Sequence, residues 1–222
     1  MSPPVSDCES ATRKLTHIDD VNKVSKLQQG NVILKSVWKY LVEEKNICAT
    51  DNTERSNDNI LLNVEYISER QEREDDITSR DLHSCIEMVL KYWGRGTDIR
   101  SIVNQNIDCC SCVFKRKGLN RLVARHGTKE LLEHELENKR PVLVKWKANG
   151  SIMKPCGDHH WSVLVGRHND YWIHNDPMGL ADMINGGYIS STGGKQALYD
   201  KDKWLSRWII DGESTCVLVG AP

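Results

Sequence analysis

The order of the elements along this chain predicts an α+β fold, with N-terminal helices packed on a C-terminal antiparallel sheet. Apolar residues at helical spacing dominate the part of the chain before residue 138. Apolar segments of strand length follow it, at 141–146, 161–165, 171–174 and 215–219. Helices that precede strands, rather than alternating with them, are typical of α+β proteins.

The helical half of this prediction rests on three segments. A helix that ends at Gly94 has an inner face spaced three and four residues apart, formed by Ile86, Val89, Leu90 and Trp93. Glycine is favoured just after the end of a helix, which fits Gly94. The segments 119–126 and 129–137 predict two more short helices, separated by Gly127. An earlier segment, 60–67, has the composition of a strand.

The composition also predicts where the folded domain begins. Residues 1–59 are a polar extension, in which a helical stripe at 31–44 predicts one helix. The polar run 51–59 is typical of a linker. We therefore place the domain at residues 60–222 and expect its core to survive removal of residues 1–50.

Charge and hydropathy exclude two kinds of partner. Lys and Arg number 30 and Asp and Glu 31, so the formal net charge is −1 and a basic surface for nucleic acid is not expected. No apolar run approaches the roughly 20 residues of a membrane span. The N-terminus lacks the apolar segment of a secretory signal. We expect a cytoplasmic protein, of its own cell or of a host if viral, with its eight cysteines reduced and no cofactor.

The most informative segment is 158–166, in which His160 stands at the edge of an apolar strand. The polar turn 167–170 and the strand 171–174 follow, and Asp176 comes just after them. An antiparallel pair brings the end of the second strand beside the start of the first. His160 and Asp176 are therefore predicted neighbours. Such a pair supplies the base and its orienting carboxylate in a nucleophilic triad.

Several motifs occur in a characteristic order: 88–94 closing the first helix, 138–144 before a strand, His160-Trp161, and Asn175-Asp176-Pro177. Over about residues 60–220 the chain thereby resembles the papain-like C39 peptidase family, and the tail 185–212 is similar to phage members in particular. The resemblance implies a papain-like cysteine peptidase fold and a peptide substrate. It also implies that His160 is the catalytic His and Asp176 its orienting Asp.

The same resemblance identifies two departures. The family places its nucleophilic Cys at the start of the first helix, thirteen residues before the closing Gly, and that count back from Gly94 arrives at Asp81. A Gln that precedes the Cys helps to form the oxyanion hole. In this chain Glu69 stands nearest the Gln position and Gln71 is slightly displaced from it.

The sequence leaves the nucleophile open. If Ser84 and Glu87 form a capping box, Cys85 is the first helical residue, where the helix dipole and free N–H groups lower a thiol pKa. If the helix begins near Asp81, Cys85 faces inward as packing. Asp81 is then a helix cap or, less commonly, itself a nucleophile.

We therefore carry three hypotheses. In the first, the chain is a cysteine peptidase or amidase that uses Cys85, His160, Asp176 and Gln71 on a peptide or a peptidoglycan stem. In the second, it is an inactive relative whose cleft binds a peptide or a protein partner. The third, a metal site, draws on His83, His159, His160, Asp176 and Cys156. The spacing of these residues matches none of the usual ligand patterns.

Overall fold

The computed structural model describes residues 59–69, 80–98 and 110–221, except for the side chains of residues 110 and 111. The described residues all belong to one compact unit, Ser56–Pro222. The predicted N-terminal extension, with its helix at 31–44, lies outside the described residues, and so does Gln71.

Helices and strands are more mixed along the described chain than the sequence predicts. In chain order they are β1 (Asn59–Leu61), α1 (Arg80–Tyr92), α2 (Cys110–Arg116), β2 (Asn120–Ala124), α3 (Lys129–Glu137), β3 (Val142–Ser151), β4 (Lys154–His168), β5 (Tyr171–Asn175), β6 (Leu180–Ala181), β7 (Tyr188–Ser190), β8 (Ala197–Asp200), α4 (Lys201–Trp208) and β9 (Thr215–Gly220).

One antiparallel sheet contains most of these strands. Its order is β2-β9-β3-β4-β5-β8, and β1 pairs with β4 beside this path. The strands β6 and β7 form a separate two-stranded sheet. Helix α1 packs against β4, and α4 packs against β3. The predicted α+β class with an antiparallel sheet is confirmed.

The core lies around the central strands of this sheet. Residues Val142, Val144 and Val217 are fully buried, as expected for strands flanked by others on both sides. The largest buried side chains are tryptophans: Trp146, Trp172, Trp204 and Trp208. Trp204 and Trp208 stack with ring centroids 5.2 Å apart, so α4 contributes its aromatic face to the core.

Helix α1 ends as its sequence predicts. Gly94 has φ of 63°, a left-handed conformation that glycine adopts without strain. Its N–H donates to Lys91 O at 3.0 Å, and the N–H of Arg95 donates to Leu90 O at 2.8 Å. This pair of bonds is a Schellman motif, which satisfies carbonyl groups at the helix end.

Two predicted elements differ in the structure. The predicted helix 119–126 is wrong, because Asn120–Ala124 forms strand β2 and pairs along its whole length with β9. Its apolar residues suit a helix locally, but pairing with a buried strand outweighs local propensity. The helix of this region lies upstream, at Cys110–Arg116. The strand predicted at 60–67 is shorter in the structure, where it covers Asn59–Leu61. The residues Leu62 and Val64 that follow are buried but do not belong to a strand.

Among the cysteines whose side chains the structure describes, Cys112 differs from expectation. Cys85, Cys156 and Cys216 are free thiols. Cys112 is disulfide-bonded, so the prediction that every cysteine is reduced is wrong for this residue. Within the described residues, no helix is both long and apolar enough to span a membrane.

Candidate active site

The antiparallel pair β4–β5 positions His160 and Asp176 side by side. Val163 lies opposite Asn175 in this pair, so Asp176 follows directly on the strand that faces the His160 end of β4. The His160 Nε2 atom is 2.9 Å from Asp176 Oδ1. The predicted contact between these two residues is confirmed.

A second carboxylate occupies the other side of the same ring. The Oδ2 atom of Asp81, in the first turn of α1, lies 2.9 Å from His160 Nδ1. Both ring nitrogens of His160 are therefore hydrogen-bonded to carboxylates. All three residues are buried: 4% of His160, 9% of Asp81 and none of Asp176 is exposed.

The two carboxylates determine the charge of His160. Burial of the ring lowers its pKa, but the charge and hydrogen bond of Asp176, together with those of Asp81, outweigh burial and raise the pKa to about 10. The ring is thus an imidazolium at neutral pH, and each N–H donates to a carboxylate. A protonated ring with both nitrogens engaged has no lone pair with which to accept a proton.

Asp81 is held by main-chain donors as well as by His160. Its Oδ1 accepts from the N–H of Leu82 at 2.8 Å, and its Oδ2 accepts from the N–H of Trp161 at 2.8 Å. Burial raises the Asp81 pKa, but the His160 bond and charge and these two N–H groups together lower it below its ordinary value. The start of α1 is thereby tied to β4 by an ionised carboxylate.

Asp176 has its own set of partners. Tyr199 donates its hydroxyl to Oδ2 at 2.8 Å, and the N–H of Met178 donates to Oδ1 at 3.0 Å. The main chain of Asp176 is also fixed, because its N–H donates to Gly194 O at 2.9 Å. These bonds set the direction in which the carboxylate faces His160.

Behind His160 lies a buried polar chain. The Trp146 ring meets the His160 ring edge to face at 5.2 Å. Trp146 Nε1–H donates to Ser162 Oγ at 2.9 Å, and Ser162 Oγ lies 2.9 Å from His174 Nδ1. Burial and then the charge of His160 lower the His174 pKa to about 3, so His174 is neutral. The site thus has one charged and one neutral histidine.

Cys85 does not have the environment expected of an activated thiol. Helix α1 begins at Arg80, so Ser84 is inside the helix. Of the two alternatives that the sequence leaves open, the capping box does not hold, and the helix start near Asp81 with Cys85 as packing does. Cys85 is fully buried. Burial, followed by the negative charges of Asp81 and Asp176, raises the pKa of its thiol well above the ordinary value.

Tyr188 adds an aromatic side chain that the sequence analysis missed. Its ring meets the His160 ring edge to face at 5.8 Å. Its buried hydroxyl has no hydrogen-bond partner among the described residues. Burial and then the charges of Asp176 and Asp81 raise its pKa far above the ordinary value. Tyr188 follows two glycines at the start of the three-residue strand β7. A segment this short has no hydrophobic periodicity from which a contact with His160 could be predicted.

His159 is not part of this cluster. His159 is exposed, whereas His160 is buried, as alternation along a strand predicts. Over the described ranges, no group of three or more His, Cys, Asp or Glu side chains could hold a metal ion. The proposed set of His83, His159, His160, Asp176 and Cys156 therefore gains no support as a metal site.

No family model and no curated protein matches the chain by sequence. Solved structures do match. A Bacillus anthracis protein assigned as a C39-like peptidase superposes with a TM-score of 0.55 at 13% identity, over 74% of this chain and 98% of that one. The domain has the C39-peptidase fold. The papain-like α+β architecture that the motifs imply is thus confirmed, and at this identity the likeness extends to the fold alone.

Two transporter-associated peptidases are more distant. One is a double-glycine-motif protease from an AMS/PCAT transporter, solved with its leader peptide, at TM-score 0.45 and 14% identity, over 73% of this chain and 94% of that one. The other is the peptidase domain of Streptococcus ComA, a bifunctional ABC transporter involved in quorum sensing, at TM-score 0.46 and 16% identity, over 66% of this chain and 96% of that one.

Proposed function

We propose that this chain is a non-catalytic protein of C39-peptidase fold, in which Asp81 replaces the nucleophilic thiol and the cleft binds a peptide or protein partner without cleaving it. The observation that carries the proposal is the 2.9 Å contact between Asp81 Oδ2 and His160 Nδ1. The family resemblance expects a thiol at this position, the start of the first helix.

Electrostatics supports the loss of catalysis. An active thiol–histidine pair contains a thiolate and an imidazolium, and the histidine later gives its proton to the leaving amine. The Asp81 carboxylate preserves the charge pattern of that pair, since it is ionised beside an imidazolium. A carboxylate is a far weaker nucleophile toward an amide than a thiolate. The site therefore keeps the two opposite charges of a thiolate–imidazolium pair, but it lacks the sulfur atom that would attack the amide.

The position of Cys85 also supports the proposal. A nucleophile must lie within hydrogen-bond reach of its base, but both ring nitrogens of His160 are bonded to carboxylates. The thiol is fully buried and its pKa is raised. These conditions keep the sulfur protonated and inaccessible, the opposite of an activated cysteine.

Restoring the thiol gives the most direct test. In Asp81→Cys, the new thiol stands beside His160 at the start of α1, and we expect iodoacetamide to label it below pH 8. Cys85 in the wild type stays unlabelled under the same native conditions. The double variant Asp81→Cys/His160→Ala is the matched control, and it loses the enhanced labelling because the imidazolium is absent.

Binding without cleavage is tested by incubating the full chain with a peptide library and measuring both retention and peptide masses. We expect wild-type protein to retain a subset of peptides with unchanged masses. Cleavage products that disappear in both Cys85→Ala and His160→Ala would instead establish the cysteine-peptidase hypothesis. Peptidoglycan stem peptides belong in the library, since they are the second substrate class that the resemblance implies.

A further inference from the structure

A separate cleft of about 350 Å³ lies on the side of the sheet where β9 begins. Its wall on the sheet carries Lys145 and Lys147 of β3 and His159 of β4. Lys147 pairs directly with His159, and Lys145 is two residues earlier on the same strand, so the three side chains share one face. This face is the one opposite to His160, which is the next residue after His159.

The other wall is a tight turn that carries two carboxylates, Asp211 and Glu213. The N–H and C=O groups of Ile210 and Glu213 bond to each other reciprocally at 2.9 Å. The two residues between them, Asp211 and Gly212, have φ of 53° and 78°, as a type I′ turn requires. The turn geometry therefore fixes the backbone from which the two carboxylates extend.

Further contacts anchor this turn on the protein. His126 Nδ1 lies 3.2 Å from Gly212 O. The N–H of Ser214 donates to Arg125 O at 2.9 Å, and the N–H of Gly127 donates to Ser214 O at 2.9 Å. A wall held in this way is preorganised, which lowers the cost of ordering on binding.

The cleft is lined by opposite charges that do not form ion pairs with each other. Within the described part of the chain, Lys145, Asp211 and Glu213 form no ion pair at 4.0 Å or less. Lys147 is engaged differently, since its ammonium donates to the backbone oxygen of Gly157. One free cation and two free carboxylates thus remain available to a ligand.

The rest of the lining adds an apolar surface. Ile210 of the turn is half-buried, and the other uncharged lining residues are Thr215 and the buried Trp146 and Trp208. Burial, and then the charges of Lys145 and Lys147, lower the pKa of His159, so its ring is neutral at pH 7 and contributes a hydrogen-bonding group rather than a third charge. A ligand that fits must therefore be small, carry both charges and present an apolar portion.

We propose that this cleft binds a small zwitterion, either an α-amino acid or a dipeptide with both termini free. The ligand's carboxylate lies against Lys145, its ammonium group lies against Glu213 and Asp211, and its apolar side chain lies against Ile210. This proposal does not rest on the proposed function, because the charged groups that bind the ligand are Lys145, Asp211 and Glu213. Trp146 lines the cleft and also contacts the His160 ring.

Isothermal titration calorimetry on the full chain tests the proposal with four ligands. Leucine and alanyl-leucine carry both charges and distinguish the two ligand sizes. N-acetyl-leucine lacks the ammonium group and leucinamide lacks the carboxylate. We expect saturable binding of at least one zwitterion, and binding at least about tenfold weaker once either charge is removed, since a charged hydrogen bond contributes about 1.5 kcal/mol or more.

Variants of two lining residues test whether the zwitterion binds in this cleft. Lys145→Gln and Glu213→Gln each weaken zwitterion binding at least about tenfold. Lys154→Gln, at an exposed position of β4, serves as the matched control and leaves it unchanged. Circular dichroism checks that each variant is folded. The proposal is overturned if neither zwitterion binds wild-type protein up to about 10 mM, if both capped ligands bind equally well, or if folded variants bind as the wild type does.

Discussion

At the level of single residues, Asp81 supplies the second carboxylate that bonds the His160 ring and so helps to set the charge of that ring. Its carboxylate is 2.9 Å from His160 Nδ1 and also accepts two main-chain N–H groups. Asp176 bonds the opposite nitrogen. The histidine thus joins two carboxylates as a buried cation, which ties α1 to the sheet. Under the proposed function, His160 therefore acts as a structural cation rather than as a proton carrier.

Removing one carboxylate should change the protonation of His160. In Asp81→Asn we expect the pKa of His160 to fall from about 10, because one of the two charges that raise it is lost while burial continues to lower it. We also expect a loss of about 1–3 kcal/mol in the free energy of unfolding, since a charged hydrogen bond is broken in a buried site. NMR titration of the His160 ring measures the first effect and urea unfolding the second.

Asp158→Asn is the control for this experiment. Asp158 is exposed and lies close to His160 in the chain, but it is not one of the carboxylates bonded to the ring. The His160 titration in this variant should match the wild type. An unchanged His160 pKa in Asp81→Asn would mean that Asp176 alone keeps the ring protonated.

At the level of elements, the loop after β5 depends on a close approach of two backbones. Gly194 accepts the N–H of Asp176 at 2.9 Å. A Cβ atom built on Gly194 would overlap the main-chain oxygen of Asp176. The absence of a side chain at this position therefore lets the loop hold Asp176 in place.

Gly194→Ala should for this reason destabilise the domain. We expect a loss of about 1–3 kcal/mol in the free energy of unfolding, because overlap with a main-chain atom cannot be relieved by a rotamer change. Gly96→Ala is the matched control, since the nearest atom to its added Cβ is the flexible Lys117 Nζ at 3.8 Å. Urea denaturation compares the two, and equal stability would show that the loop moves freely.

Helix α4 stabilises the hairpin of β3 and β4 through one side chain. Arg207 is fully buried, and its guanidinium donates to a row of main-chain oxygens, those of Lys147, Ala148, Asn149, Gly150 and Met183. All of these oxygens except that of Met183 belong to the part of β3 that extends past β9, where the neighbouring strand has ended. The guanidinium therefore supplies donors that a neighbouring strand supplies elsewhere in the sheet.

For the whole molecule, the charge of the His160 cluster predicts how stability depends on pH. The pKa of His160 is raised from 6.5 to about 10 in the folded state, so its stabilising contribution is complete below about pH 6.5 and is lost as the pH rises through 10. The pKa of Asp81 is lowered from 3.8, so its contribution is present above pH 3.8 and is lost as the pH falls through the folded-state value.

Comparing wild type with His160→Gln isolates this dependence from the titration of other groups. We expect the difference in free energy of unfolding to be largest at about pH 4–6.5. It should then shrink by up to about 1.4 kcal/mol per pH unit as the pH rises toward 10. Denaturant unfolding at a series of pH values provides the measurement. A difference that grows with pH would contradict a charged His160.

The sequence predicts the local features of this molecule better than the pairing of distant segments. The contact of His160 with Asp176 is confirmed because a short turn joins their strands. The helix end at Gly94 is confirmed because a local backbone conformation determines it. Strand β2 is missed because its partner, β9, lies far along the chain. The roles of Tyr199 and Gly194 likewise depend on loops whose path no periodicity reveals.

A carboxylate at position 81 makes the charge of this site insensitive to oxidation. Thiolates at the active sites of cysteine peptidases are oxidised by peroxide and alkylated by electrophiles. A carboxylate is inert to peroxide, and the nearby Cys85 sulfur is enclosed in the core. The charges around His160 therefore persist in oxidising and reducing surroundings alike. Under the proposed function, inhibitors that capture an activated thiol are expected not to react at position 81.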